Sequence, residues 1–133
     1  MFIALILAAA AQALAPPSIE GTWRSPGGNS IITIAACGNA LCGTVAWASE
    51  KAKKDAAKTT SQLVGTQLLT DLQQDKKRRW HGKLFIPDMN MRVNAKIERA
   101  SEDKLKVSGC AAGKSLCKSQ LWTRVDGPLP NSD

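Results

Sequence analysis

From Glu20 to Val125 apolar and polar residues alternate in short runs separated by turn-forming clusters. That is the period-two signature of strands with one buried face. Glu20-Gly21-Thr22-Trp23-Arg24 leads into a Ser-Pro-Gly-Gly-Asn turn at 25–29, and Ser30–Cys37 follows, β-branched through Ile31, Ile32, Thr33 and Ile34. A turn at 38–41 precedes Gly43–Ala48. Arg79–Ile86 sets Trp80, Gly82, Leu84 and Ile86 against Arg79, His81, Lys83 and Phe85, and 91–98 sets Met91, Val93, Ala95 and Ile97 against Arg92, Asn94, Lys96 and Glu98. Lys104–Cys110 alternates Leu105 and Val107 with lysines, and Ser119–Val125 puts Leu121, Thr123 and Val125 opposite Gln120, Trp122 and Arg124. About seven or eight strands joined by short turns predict an all-β domain, a small antiparallel up-and-down barrel. Its inward residues are expected to be Ile32, Ile34, Val45, Trp47, Leu84, Ile86, Val93, Ile97, Leu105, Val107, Leu121 and Val125, bulky enough to fill the interior.

One stretch, 49–78, breaks the pattern. Glu50–Ser61 is rich in lysine and alanine without periodicity and reads as a mobile basic loop. A strand is expected at about 66–70, although Val64, Leu68 and Leu72 also fit helical spacing.

The N-terminus is of another kind. Residues 1–15 contain no Asp, Glu, Lys or Arg and pass from Phe2-Ile3-Ala4-Leu5-Ile6-Leu7 into alanine-rich sequence. A stretch this short does not span a bilayer as a helix, and it reads as a signal peptide. Cleavage is expected after Ala13 or Ala15, leaving 16–133 as a single domain. The expected location is therefore outside the cytoplasm, periplasmic or secreted.

Cys37, Cys42, Cys110 and Cys117 all lie beyond the leader. An even count in an exported chain reads as disulfides rather than metal ligands. Each pair, 37/42 and 110/117, brackets a glycine-containing turn where hairpin strands face each other, so spacing favours two local bridges. Loops this short are worth about 2 kcal/mol each and pin turns rather than close the domain.

The formal net charge of +7 leaves the leader untouched and falls wholly on the domain. Basic clusters stand at Lys51-Ala52-Lys53-Lys54, at Lys76-Lys77-Arg78-Arg79, and at Lys114 with Lys118. Such surfaces attract polyanions, and the 76–79 cluster is the candidate anion-binding site. Outside the cytoplasm, anionic headgroups or acidic glycans fit better than nucleic acid. With no tyrosine and only Trp80 beside a cluster, base stacking has little to use.

Enzyme chemistry has a thin basis. The chain has one histidine, His81, on a face with Arg79 and Lys83, and Asp71, Asp75, Asp88, Glu98, Glu102 and Asp103 fall mostly in turns. Neither cysteine pair has redox spacing, and there is no glycine-rich phosphate loop. Neither a catalytic residue nor a metal nor a cofactor is expected.

Gly21-Thr22-Trp23 on the first strand and Trp122-Thr123-Arg124 on the last resemble the lipocalin and calycin arrangement. The resemblance implies a tryptophan plugging the closed end with an arginine stacked on it, a structural role for Gly21, Trp23, Trp122 and Arg124. Between them stand Cys37-Gly38-x-x-Leu41-Cys42-Gly43-x-Val45-x-Trp47, Trp80-x-Gly82, Pro87-Asp88, Val107-x-Gly109-Cys110 and Ser119-Gln120-x-Trp122-Thr123-Arg124-Val125. Together these resemble the bacterial exported DUF2147 family along nearly all of 16–133. That likeness implies a calycin-like barrel in the cell envelope, with no established activity. The expected function is non-enzymatic: binding a small apolar or amphipathic molecule inside, or an anionic envelope component on the rim, with peripheral membrane contact. The alternatives are a structural or interaction module with a filled core, and an enzyme whose site has no recognised motif. The sequence specifies no oligomeric state.

Overall fold

The computed structural model describes residues 18–111 and 116–130. The expected signal peptide, its expected cleavage sites and Lys114 lie outside them. Eight antiparallel strands close into a barrel in chain order: β1 (Gly21–Arg24), β2 (Ser30–Cys37), β3 (Ala40–Ala48), β4 (Gln67–Gln74), β5 (Trp80–Ile86), β6 (Met91–Ser101), β7 (Lys104–Ala111) and β8 (Leu116–Arg124). Closure rests on only two register pairs of β1 with β8, Trp23 with Arg124 and Arg24 with Thr123.

Up-and-down order sorts the connections by end. One end, the entry end, carries the β2–β3, β4–β5 and β6–β7 turns and the incoming segment at Ile19. The opposite end carries the β1–β2 turn, the β3–β4 crossover and the β5–β6 turn.

The core is filled by side chains from all round the barrel. Trp23, Ile32, Leu69, Leu72, Ile97 and Leu105 have no exposed surface, and burying such a side chain is worth about 1.5–3 kcal/mol. The packing leaves no room for even a methyl group at Gly82. A Cβ there would meet the Thr70 carbonyl oxygen at 2.5 Å. That contact comes from an irregularity in β4 between Thr70 and Gln73, where Asp71 adopts a left-handed φ of 56°.

The 49–61 stretch corrects the expectation of a mobile loop. It holds α1 (Glu50–Ala56). Ser49 caps it, its Oγ accepting from the Ala52 amide at 3.1 Å. Lys51–Asp55 (2.9 Å) and Lys53–Glu50 (3.4 Å) pair along its exposed side. Alanine and lysine are good helix formers. Two of the alanines, Ala52 and Ala56, supply the side that meets the core.

Several inward expectations also need correcting: Ile86 and Val125 lie outside the core cluster, and Phe85 packs on it instead of Ile86. On β8 the phase is reversed: Trp122 is buried against the core and Leu121 is 51% exposed. Trp122 pairs in register with Leu105, itself fully buried, and its indole nitrogen donates to Gln120 Oε1 at 3.0 Å. On β3 an irregularity between the Ile31–Trp47 and Ile32–Val45 pairs turns Trp47 out of the core cluster, half-buried beside Ile31.

Both disulfides form as their spacing suggested. Cys110 and Cys117 are direct cross-strand partners, Cα atoms 4.0 Å apart. Cys37 and Cys42 are not: Cys37 faces Ala40 and Cys42 faces Ala35, so this bridge runs diagonally at a Cα separation of 5.8 Å. It lies at the entry end beside the Gly38-Asn39 turn, where Gly38 takes a left-handed φ of 73°.

Candidate functional site

The entry end is closed by Trp23. Its indole nitrogen donates to the Ile19 carbonyl at 3.0 Å, and both residues are buried. The Arg124 guanidinium carbon lies 4.5 Å from the Trp23 ring centre and that of Arg99 lies 5.7 Å away, within cation–π range. The two arginines also converge on one backbone oxygen, that of Glu102, at 2.7 Å from Arg99 Nη2 and 3.4 Å from Arg124 Nε. Arg99 further donates to the carbonyls of Ser18 and Ser101. Gly21 is needed because a Cβ at its position would lie 2.9 Å from Arg124 Nη1, and its φ of 139° disfavours a side chain. Trp122 takes no part in this stack; it packs in the core alongside it.

Next to this plug a cleft of about 620 Å³ opens between the tips of two hairpins. Its origin is a difference in strand length. Trp80, the first residue of β5, pairs with Ile97, so β6 continues through 98–101 beyond the end of β5. The β4–β5 turn curls beside that overhang. Lys77, Arg78 and Arg79 line the cleft from the turn, and Glu98, Arg99, Ser101 and Glu102 line it from the overhang and its turn.

The basic turn is rigidly made. The Asp75 carbonyl accepts from the Arg78 amide (3.1 Å), and the Arg79 carbonyl accepts from the Asp75 amide (2.8 Å). Between these bonds Arg78 takes a left-handed φ of 69°, a conformation usually left to glycine or asparagine. The Asp75 carboxylate holds the turn from inside. It accepts from the Lys77 amide (2.8 Å), the Arg79 amide (3.0 Å), Arg79 Nε (3.0 Å) and His81 Nε2 (2.8 Å). Partial desolvation pushes this carboxyl up, but the hydrogen bonds, that from His81 foremost, outweigh it and hold it well below the usual carboxylate range.

Of the 76–79 cluster, then, Lys77, Arg78 and Arg79 reach the cleft, and Lys76 is exposed outside its lining. Arg79 divides its role between lining and clamping. Asp75 lies in a turn, as expected from the sequence, whereas the cleft's second wall at Glu98, Arg99, Ser101 and Glu102 carries no motif. The signal was indirect: the alternation of β6 runs on past the point where β5 begins.

A smaller cleft of about 210 Å³ lies at the opposite end, with Val45, Leu63 and Leu68 in its lining and Asp55 and Asp88 beside them. Among the described residues no three His, Cys, Asp or Glu side chains gather in a metal-binding group.

The family described as an uncharacterized protein conserved in bacteria (DUF2147) has a model that matches residues 21–124. The chain belongs to this family. The match begins at Gly21 on β1 and ends at Arg124 on β8, so it spans the whole barrel. No curated protein and no solved structure matches the chain.

Proposed function

We propose that this DUF2147 barrel is a non-enzymatic binding module of the bacterial cell envelope whose entry-end cleft takes an anionic group, phosphate or carboxylate, of an envelope lipid or acidic glycan. The observation that carries this reading is the left-handed Arg78. A bulky cationic residue held at a position where glycine costs less is backbone strain retained at the lip of a cleft, beside Lys77 and Arg79. Strain of this kind concentrates where ligands are bound. The Asp75 clamp fixes the turn before any ligand arrives, which lowers the ordering cost of binding. The two disulfides are consistent with an exported protein.

The test is co-sedimentation with vesicles. Phosphatidylcholine vesicles containing phosphatidylglycerol are expected to carry the protein down at low salt and to release it as salt rises. Pure phosphatidylcholine is expected to leave it in solution. Lys77→Ala with Arg78→Ala removes the binding and keeps the fold. Equal pelleting by the double variant excludes this cleft as the site.

A second reading has its own support. The packed interior, with Gly82 against the Thr70 carbonyl and Leu69 and Leu72 fully buried, favours a structural or protein-interaction module over a carrier of apolar molecules inside the barrel.

A further inference from the structure

The cleft is not uniformly basic, and its charges are arranged in two opposed walls. Lys77 and Arg78 stand on the β4–β5 turn, and Glu98 and Glu102 stand on the β6 overhang and its turn. Among the described residues, neither the Lys77 ammonium nor the Arg78 guanidinium has an ion-pair or hydrogen-bond partner, and neither do the Glu98 and Glu102 carboxylates. The remaining cations are already engaged. Arg79 is held by Asp75, and Arg99 is held by three backbone carbonyls and the Trp23 ring.

The reason the opposed walls do not close on each other is architectural. The turn is fixed from inside by Asp75, and the overhang is fixed on its far side by pairing with β7, Glu98 opposite Lys106 and Arg99 opposite Leu105. Among the described residues, no backbone hydrogen bond of the turn reaches β6. Opposite charges are thus displayed across a gap by two separately braced elements. A purely anionic ligand meets the two carboxylates at a cost, and a ligand with both signs satisfies both walls.

We infer that the cleft recognises a bipolar group, an anionic phosphate joined by a short linker to a primary ammonium, as in a phosphoethanolamine unit. The phosphate faces Lys77 and Arg78, and the ammonium faces Glu98 and Glu102. This rests on the reading of the cleft as an anion site and narrows its ligand.

The experiment is an NMR titration of the isotope-labelled protein with O-phosphoethanolamine and, separately, with glycerol 3-phosphate, which carries the same phosphate and no ammonium. Phosphoethanolamine is expected to bind about fivefold more tightly, the size of effect that one or two exposed ion pairs supply. Glu98→Gln with Glu102→Gln is expected to abolish that preference while glycerol phosphate binds at least as well as before. Equal affinities in the wild type, or a preference that survives the glutamine pair, overturn the inference and leave the anion site standing. Binding of neither compound overturns both. A parallel arm pellets phosphatidylcholine vesicles containing phosphatidylethanolamine. Co-pelleting assigns the group to a lipid headgroup, and binding of the soluble compound alone assigns it to a glycan or solute.

Discussion

Arg124 lies across Trp23 from the neighbouring strand, its guanidinium carbon 4.5 Å from the ring centre and its backbone in register with that residue. The β1–β8 seam consists of this pair, one other register pair and the Val125 amide's bond to the Thr22 carbonyl at 2.9 Å, so the stack reinforces a short seam. Arg124→Ala is expected to cost about 1–2 kcal/mol, and Trp23→Ala about 3–5 kcal/mol. Urea denaturation midpoints measure both. A midpoint unchanged by Arg124→Ala contradicts the closing role.

Gly82→Ala tests the packing of the interior. With Thr70 O at 2.5 Å and Asp71 O at 2.9 Å from the new Cβ, backbone must move. A loss of about 3 kcal/mol or failure to fold is expected. A variant as stable as the parent contradicts a tightly filled barrel.

Arg78 predicts an opposition between stability and binding. Arg78→Gly relieves a left-handed side chain and is expected to raise stability by up to about 1 kcal/mol. The same change removes a cation from the cleft and is expected to weaken vesicle binding. Thermal melts and co-sedimentation on one preparation read both effects. A stability gain with undiminished binding separates the strain from function.

Acid stability should report Asp75. Its carboxyl sits well below its unfolded value of about 3.9. A depressed folded-state value means that the unfolded state binds the proton first as pH falls. The contribution is therefore complete above about pH 5, declines from about pH 4, and is lost on passing the folded-state value. The melting-temperature gap between wild type and Asp75→Asn is expected to be constant near neutrality and to shrink in that acid range. A gap that widens on acidification contradicts the clamp.

Reduction separates turn-pinning from closure. Cys37→Ser with Cys42→Ser is expected to cost about 2 kcal/mol and leave the far-ultraviolet spectrum of the barrel intact. Unfolding of this variant under native conditions contradicts a purely local role.

The barrel was legible because its strands alternate strongly. In β6, Val93, Ala95 and Ile97 leave one register for the chain. The last strand was misphased because Leu121 and Trp122 are both apolar and adjacent, and alternation cannot rank them; pairing of Trp122 with Leu105 decides it. α1 was hidden because its buried side is built of alanines, which carry little hydrophobic contrast, although Ser49 and the Lys51–Asp55 spacing were local helix signals. In the site, the basic run 76–79 was visible as charge. Its opposed wall was not, because Glu98 and Glu102 come near it only through the offset of β5 against β6.

Anion binding at the entry-end cleft is read out by amide line broadening on adding nanodiscs containing phosphatidylglycerol to the labelled protein. Broadening is predicted to centre on residues 77–79 and 98–102. Broadening centred instead on α1 and residues 87–88 at the opposite end, or none at all, rules out the entry-end cleft as the anion site.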